Sequence, residues 1–222
     1  MTRRPFLVLA TIGLLLSACG RPSTVSYTLE ISSTQPDVRE ELLKEAVRVV
    51  ERRLDSMGEE LIDQSIDAGG ENPTLTLTLV DDEIAEFLTQ DLTSPFTMDI
   101  MKEVPEGTGD ITVSGHGSFA KTGVTAEHLD WVNAREDGTS GKGMVRLVFT
   151  PEGRVLMAQV FAENVGKNIG LFVRDKLVSK LYVDTAELKD DIVIRDIPSL
   201  DFAHVFAEDV NVGLHVTFIP IE

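Results

Sequence analysis

Apolar and polar residues alternate along several short stretches of the chain, and a period of two predicts half-buried β-strands. The clearest stretches are 25–31, 75–79, 144–149, 169–173, 177–183 and 214–221. Weaker patterns predict further strands at 61–68, 96–102, 111–113 and 191–195. Arg174, Asp175 and Lys176 separate two of the clear stretches, so that pair is predicted to form a hairpin with a tight turn.

Apolar residues at steps of three and four predict five helices. They cover 36–57, 81–88, 125–133, 151–165 and 200–211. Thr150 and Ser199 are suited to cap two of these helices, and Gly58, Gly166 and Gly213 follow helix ends.

The helix at 151–165 is predicted to bury one face. That face would contain Val155, Ala158, Phe161, Ala162 and Val165. Along the whole chain, strands and helices are mixed without a regular βαβ repeat. The pattern therefore predicts an α+β fold with mainly antiparallel sheets.

The first nineteen residues show a different pattern. Arg3 and Arg4 make a basic start, residues 5–16 are apolar and uncharged, and the tetrapeptide LSAC ends the run. A basic start, an apolar run and small residues in this order are typical of a secretory signal peptide. The run is shorter than the roughly 20 apolar residues that span a bilayer. Residues 1–18 are therefore predicted to be a signal peptide that is removed.

The tetrapeptide at 16–19 resembles the lipobox of bacterial lipoproteins, in which the cysteine is acylated and the chain is cleaved before it. The resemblance implies that Cys19, the only cysteine of the chain, is the lipid attachment site and that a membrane is the partner of its acyl chains. Residues 19–26 would be a tether. The protein is expected on the extracytoplasmic side of a bacterial envelope, and Gly20 favours the outer membrane of a two-membrane cell. The alternative is an ordinary signal peptide with a chance cysteine.

The chain is strongly acidic, with 37 acidic and 20 basic residues and a formal net charge of −17. Removing residues 1–18 takes away two arginines and no acidic residue, which leaves a formal charge of −19. Such a charge repels the phosphates of nucleic acids and of anionic lipids. No nucleic-acid partner is therefore expected.

The residue types that catalysis and metal binding require do not form a recognisable pattern. His116, His128, His204 and His215 have no metal-ligand spacing. Residues 114–118 (SGHGS) lack the order of a nucleophile motif and are predicted to form a mobile glycine-rich loop. We therefore expect no catalytic residue, no metal and no cofactor, and a protein that is not an enzyme.

The neighbouring residues in the sequence predict where the side chains of His204 and Trp131 lie. His204 lies in an apolar helical segment and is predicted at the edge of the core. Trp131, the only tryptophan, is predicted either to be an exposed contact for a peptide or to pack beneath the helix at 125–133.

Four segments together resemble SecD, a membrane subunit of the protein-export machinery. They read AxxVVxxRLxxMG at 46–58, TGVTAEHL at 122–129, VxLxFTxEG with AENVGK within 145–167, and GLHVTFI at 213–219. They occur in the family's order, and the resemblance covers about residues 25–221. It implies a ferredoxin-like base, 27–95 with the returning strand 213–222, and an inserted α+β head subdomain at 96–212.

The resemblance also implies a function. A SecD-like domain would bind translocating polypeptide or components of the Sec translocase without enzymatic activity, held here by lipid in place of the family's membrane helices. The proton coupling of those helices is not implied. The alternative is a structural or scaffolding envelope lipoprotein that keeps the fold without an export role.

The predicted hairpin is where the chain departs from the family. Asp175-Lys176 stands where the family usually has Asp-Gly, and Ser179-Lys180-Leu181 stands where it tends to have Ser-Ala-Pro. These departures make Asp175 and Lys176 candidate partner contacts, and Trp131, as the only tryptophan, is a third.

Overall fold

The computed structural model describes residues 22–138, 141–188 and 191–221. The helices in this part are α1 (Pro36–Met57), α2 (Asp82–Thr93), α3 (Pro151–Glu163) and α4 (Leu200–His215), with one 3₁₀ turn at Ala126–His128. The strands are β1 (Ser23–Ile31), β2 (Asp63–Asp67), β3 (Thr74–Leu79), β4 (Met98–Val104), β5 (Ile111–Val113), β6 (Gly117–Thr125), β7 (Leu129–Glu136), β8 (Gly143–Phe149), β9 (Asn168–Val173), β10 (Lys176–Tyr182), β11 (Ile192–Ile197) and β12 (Val216–Ile221). The predicted signal peptide and Cys19 lie outside the described residues.

Every paired strand in the three described sheets is antiparallel, so the predicted α+β fold with antiparallel sheets is confirmed. None of the described helices has the length and apolar character needed to cross a bilayer. β1 begins at Ser23, so the last residues of the predicted tether belong to a strand.

The first sheet has the strand order β12-β1-β3-β2. The chain order β1, α1, β2, β3, α2, with β12 as the fourth strand, is the split βαβ arrangement of a ferredoxin-like fold. Tyr27 and Leu29 of β1 and Leu75 and Leu77 of β3 are fully buried, as their alternation predicts. They pack against the apolar side of α1, which ends at Gly58 with a positive φ of 77°, as predicted.

The chain between α2 and β12 forms two further sheets and a second core. The five-stranded sheet has the order β10-β9-β4-β6-β5, and the three-stranded sheet has the order β11-β8-β7. Ile100 and Leu171 of the larger sheet pack in one cluster with Val145 and Leu147 of the smaller sheet. The predicted limits of the base and head subdomains stay a prediction.

Helix α4 connects the two cores. Ala207 and Val210 belong to the second core, and Val212 belongs to the core under the first sheet. Between them, Asn211 accepts a hydrogen bond from the Val132 amide at 2.8 Å and donates one to the Val132 carbonyl at 3.0 Å. Because this side chain satisfies both backbone groups of a buried strand residue, it holds β7 against α4.

The helix predicted at 125–133 is wrong. Only a 3₁₀ turn at Ala126–His128 is helical, and β7 follows directly. A bulge in the pairing of β7 with β8 inserts Asp130, so Leu129 and Val132 both face the core. The bulge changes the period from two to three and therefore imitates a helical spacing.

Two other helix predictions need correction. In α3 the buried residues are Gly153, Met157, Val160 and Phe161, whereas Val155 is 61% exposed. The face differs because Gly153 lies against the His128 carbonyl, where a Cβ atom would approach the oxygen to 2.2 Å. His204 is exposed and does not lie at the core edge.

Gly213 lies inside a helix and does not follow its end. α4 continues to His215, although the sequence predicts an end at Asn211. A Cβ atom on Gly213 would lie 2.3 Å from Cδ2 and 2.4 Å from Cγ of Phe96. The glycine is therefore explained by the close approach of the Phe96 ring and not by a helix cap.

Strand β6 was not predicted from the sequence. Ser118 and Phe119 are adjacent and both buried, and Gly117 and Gly123 have positive φ, so apolar positions do not alternate along the strand. β6 begins at Gly117, which places the end of the predicted glycine-rich loop inside a sheet.

Candidate functional site

The two end strands of the five-stranded sheet, β5 and β10, line one groove of about 600 Å³. Residues 111–114 and His116 form one side, and residues 175–180 form the other. Since three strands separate β5 from β10 in the sheet, the sheet must curl towards a barrel for its ends to meet at one groove. Within the described residues, each of these two strands has a hydrogen-bonded neighbour on one side only.

The concave face of the curled sheet has its own small core. Met101, Phe119 and Phe172 are at most 1% exposed, and the two phenylalanine rings meet edge to face at 5.2 Å. Ile111 of β5 and Leu177 of β10 pack against this cluster from the two ends of the sheet. The floor of the groove is therefore apolar.

Lys180 closes one end of the groove. Its Nζ donates hydrogen bonds of 2.8 Å to Glu103 Oε1 and to the carbonyl of His116, and it lies 5.5 Å from the centre of the Phe119 ring. Asn168 donates a second hydrogen bond to Glu103 at 2.6 Å. The bond from Lys180, followed by the bond from Asn168, lowers the pKa of Glu103.

A β-bulge shapes the β10 side of the groove. Leu177 pairs with Phe172, but Ser179 pairs with the next residue, Leu171, so Val178 is the extra residue. Val178 is 47% exposed and lines the groove. Bulges and lysines on an edge strand are devices that limit unwanted strand pairing, and β10 carries both.

The hairpin tip lies at the open end of the groove. Its two turn residues are Arg174 and Asp175, with φ of 48° and 60°, whereas Lys176 already begins β10. The predicted hairpin is confirmed, but its turn lies one residue earlier than Asp175-Lys176. Two consecutive positive φ angles are typical of a type I′ turn, which usually contains Asn-Gly or Asp-Gly.

A chain of ion pairs connects the tip to helices α2, α1 and α4. Arg174 Nη1 lies 3.0 Å from Asp91 Oδ1, and Asp91 Oδ2 lies 3.1 Å from Arg53 Nε. Arg53 also contacts Asp209 of α4 at 3.4 Å. Each pair is partly exposed and worth at most about 1 kcal/mol, so the chain of pairs orients the tip more than it stabilises the fold.

The structure brings together two of the three predicted contact residues. Asp175 and Lys176 are exposed and line the groove. Within the described residues Lys176 has no ion-pair partner. Trp131 lies elsewhere: it is half-buried on β7, stacks on the His215 ring at 5.2 Å and packs against the first core. Its role as a partner contact stays a prediction.

The serine and histidine of the glycine-rich segment lie at the groove, whereas a buried aspartate lies elsewhere. Ser114 and His116 are exposed and line the groove. Asp191 is buried and pairs with Arg146 at 2.6 Å and Arg154 at 3.1 Å. Among residues 22–138, 141–188 and 191–221, no three histidine, cysteine, aspartate or glutamate side chains are grouped as metal ligands.

Glu45 of α1, which the expected sites do not include, is only 5% exposed between α1 and α4. Burial is the main cause, ahead of the charges of Glu41 and Glu208, that raises the pKa of Glu45 from 4.5 to about 7. Its Oε2 atom has no hydrogen-bond partner in the described structure. The signal was available, because position 45 lies three residues after the buried Leu42 on the apolar face of α1.

The described architecture is a ferredoxin-like sheet with two antiparallel sheets inserted before its last strand. This fold is similar to that of SecDF from Thermus thermophilus, described as a translocon-associated membrane protein, with a TM-score of 0.53, 18% identity and 90% of this chain covered. The chain spans about 30% of that SecDF chain. The likeness shows a SecD-like fold.

Two further SecDF structures also overlay on the chain. SecDF in a super-membrane-facing form gives a TM-score of 0.48 at 19% identity, covering 90% of this chain and 30% of that one. A SecDF structure described as a membrane component that enhances protein export gives 0.47 at 19%, covering 89% of this chain and 98% of that one. No protein-family model and no curated protein sequence matches the chain.

Proposed function

We propose that this protein is a membrane-anchored extracytoplasmic domain that binds extended polypeptide during protein export and has no enzymatic activity. The observation that carries the proposal is the groove between β5 and β10, with open strand edges and an apolar floor, on a SecD-like fold. Exposed sheet edges bind extended peptides through main-chain hydrogen bonds, and neighbouring pockets select side chains.

The proposed anchor is lipid on Cys19. Cys19 precedes Ser23, the first residue of β1, by four positions, which can span at most roughly 14 Å. An acylated Cys19 would therefore keep the ferredoxin-like sheet close to the membrane. Two or more acyl chains suffice for stable anchoring, because each buried CH₂ contributes about 0.8 kcal/mol.

Replacing Cys19 with serine tests the anchor. The Cys19→Ser protein is expected to lose incorporation of radioactive palmitate and to leave the membrane fraction, because no thiol remains to be acylated. The matched control adds Ser23→Cys to this variant, which restores a thiol four residues later and is expected to restore neither property. Unchanged palmitate labelling of Cys19→Ser would contradict the proposed anchor.

Photocrosslinking in cells tests polypeptide binding. A photoreactive residue at Val178, in the groove, is expected to capture a translocating polypeptide several-fold more often than one at Val155, a more exposed valine on α3. The readout is the crosslinked band that contains both chains during export of a labelled protein. Equal capture at the two positions, or none at either, would contradict groove binding.

A scaffolding role is the second candidate, and the Lys180 bridge favours it. Lys180 already connects β10 to His116 and Glu103 across one end of the groove. A groove that is permanently closed to other chains would contain such a connection. Under that role, Val178 would capture no translocating chain, whereas the Cys19→Ser result would stay the same.

A further inference from the structure

We infer that an extended polypeptide segment enters the groove as a sixth strand and pairs with β5 and β10 at the same time. This inference rests on the proposed function, because it specifies how the groove holds a polypeptide. It is carried by the direction of the two edges, by the distance between them and by the side chains that face the gap.

The directions of the edges require an antiparallel strand. β10, β9, β4, β6 and β5 are neighbours in that order, and every pair is antiparallel. Four reversals leave β5 and β10 running in the same direction. One added strand that is antiparallel to both would therefore complete a six-stranded, fully antiparallel barrel, and a barrel has no open edge.

The distance between the edges suits one strand. Lys180 of β10 reaches the carbonyl of His116, just after β5, with one hydrogen bond of 2.8 Å. An extended lysine side chain with its bond spans about the same distance as two inter-strand spacings, which total roughly 10 Å. The gap at this end is therefore no wider than one inserted strand requires, and the remaining groove extends from Lys180 to the hairpin tip.

The side chains around the gap specify the guest sequence. Ile111, Val113 and Leu177 face the concave core, so guest side chains that point inward meet apolar groups. Lys176 is next to Leu177 along β10 and therefore faces the other side of the sheet. In the inserted strand, a residue between two inward-pointing residues would point to the same side of the sheet as Lys176. A short segment with the order apolar, acidic, apolar therefore fits best.

A second copy of the chain is a poorer occupant than an exported polypeptide. Each copy carries a formal charge of −17, or −19 without residues 1–18, and two copies would repel each other. The groove itself is lined by two lysines, Lys176 and Lys180, and by one acidic residue, Asp175. An acidic guest segment therefore meets less repulsion here than a whole acidic copy would.

N-methylated peptides test the two-edge pairing. Fluorescent seven-residue peptides with a central Val-Glu-Val would be titrated by anisotropy against the acylated mature protein in detergent micelles. Successive residues of a strand direct their amides to opposite edges, so methylating any one of the three central amides is expected to weaken binding about tenfold. If every second amide tolerates methylation, the guest pairs with one edge only and the inference is overturned.

A charge reversal in the groove tests the guest sequence. Lys176→Glu is expected to weaken binding of the Val-Glu-Val peptide about tenfold and to strengthen binding of the matching Val-Lys-Val peptide. The matched control is Lys167→Glu, an exposed lysine outside the groove, which is expected to change neither. Equal effects of the two variants would overturn the assignment of Lys176.

An unfolded full-length export substrate separates this inference from the proposed function. If the wild-type protein binds that substrate but neither N-methylation nor Lys176→Glu has an effect on the peptides, the strand-insertion model fails and polypeptide binding stands. If the protein binds neither the substrate nor the peptides, both fail.

Discussion

At pH 8 the Glu45→Gln variant will unfold at a temperature about 6–12 °C above that of the parent protein, whereas at pH 4.5 the two will unfold at nearly the same temperature. The folded chain raises the pKa of Glu45 from 4.5 to about 7. A shift of that size corresponds to about 3 kcal/mol, and 1 kcal/mol moves the unfolding temperature of a chain of this size by about 2–4 °C. Thermal denaturation followed by circular dichroism across this pH range measures the effect.

The sign follows from proton binding. Between about pH 4.5 and pH 7 the unfolded chain loses the Glu45 proton while the folded chain keeps it, so folding stability falls as the pH rises through this window. Above pH 7 the folded protein holds a buried carboxylate, which glutamine removes. Glu86→Gln, the same change at an exposed position of α2, is the control and should have a much smaller effect. Equal unfolding temperatures of Glu45→Gln and the parent at pH 8 would show that the carboxyl is solvated in the folded state.

The Gly213→Ala variant will lose about 2–3 kcal/mol of folding stability, the cost of forcing a side chain into a packed site. In an open helix the same change would stabilise by about 1 kcal/mol, because alanine has the higher helix propensity. Here the new Cβ would lie 2.4 Å from Cγ and 3.0 Å from Cβ of Phe96, so the base of that side chain is in the way and cannot rotate aside. Urea denaturation gives the free energy of unfolding.

Phe96→Ala provides the control for this clash. In that background the ring is absent, and Gly213→Ala should become neutral or stabilising by up to about 1 kcal/mol. A reversal of sign between the two backgrounds identifies the contact as the cause. The same loss in both backgrounds would mean that Gly213 is required for another reason.

Local patterns were sufficient for much of the fold. Thr150 and Ser199 cap α3 and α4 as predicted, since each side chain accepts a hydrogen bond from the backbone three residues later. The β9–β10 hairpin and the end of α1 at Gly58 were also predicted. Caps, tight turns and strand alternation depend on residues within a few positions of each other, so a single sequence contains the necessary information.

The errors occur where a distant residue changes a local pattern. Because of the bulge at Asp130, the apolar spacing of β7 predicts a helix. Because the Phe96 ring requires a glycine inside α4, Gly213 is wrongly predicted to follow the helix end. In the sequence Glu45 resembles the exposed acidic residues of α1, but the packing of α4 buries it. In each case the deciding contact joins residues far apart in the chain.

The candidate site, too, is only partly predictable from the sequence. The departure of Asp175-Lys176 from the family's turn is visible in the sequence and predicts a contact at the hairpin tip. These residues share a groove with 111–114 and His116 only because a five-stranded sheet curls, and its two end strands lie more than sixty positions apart in the chain. Periodicity along the chain specifies which residues a strand buries, but the meeting of two sheet edges depends on how the strands twist and pack in three dimensions.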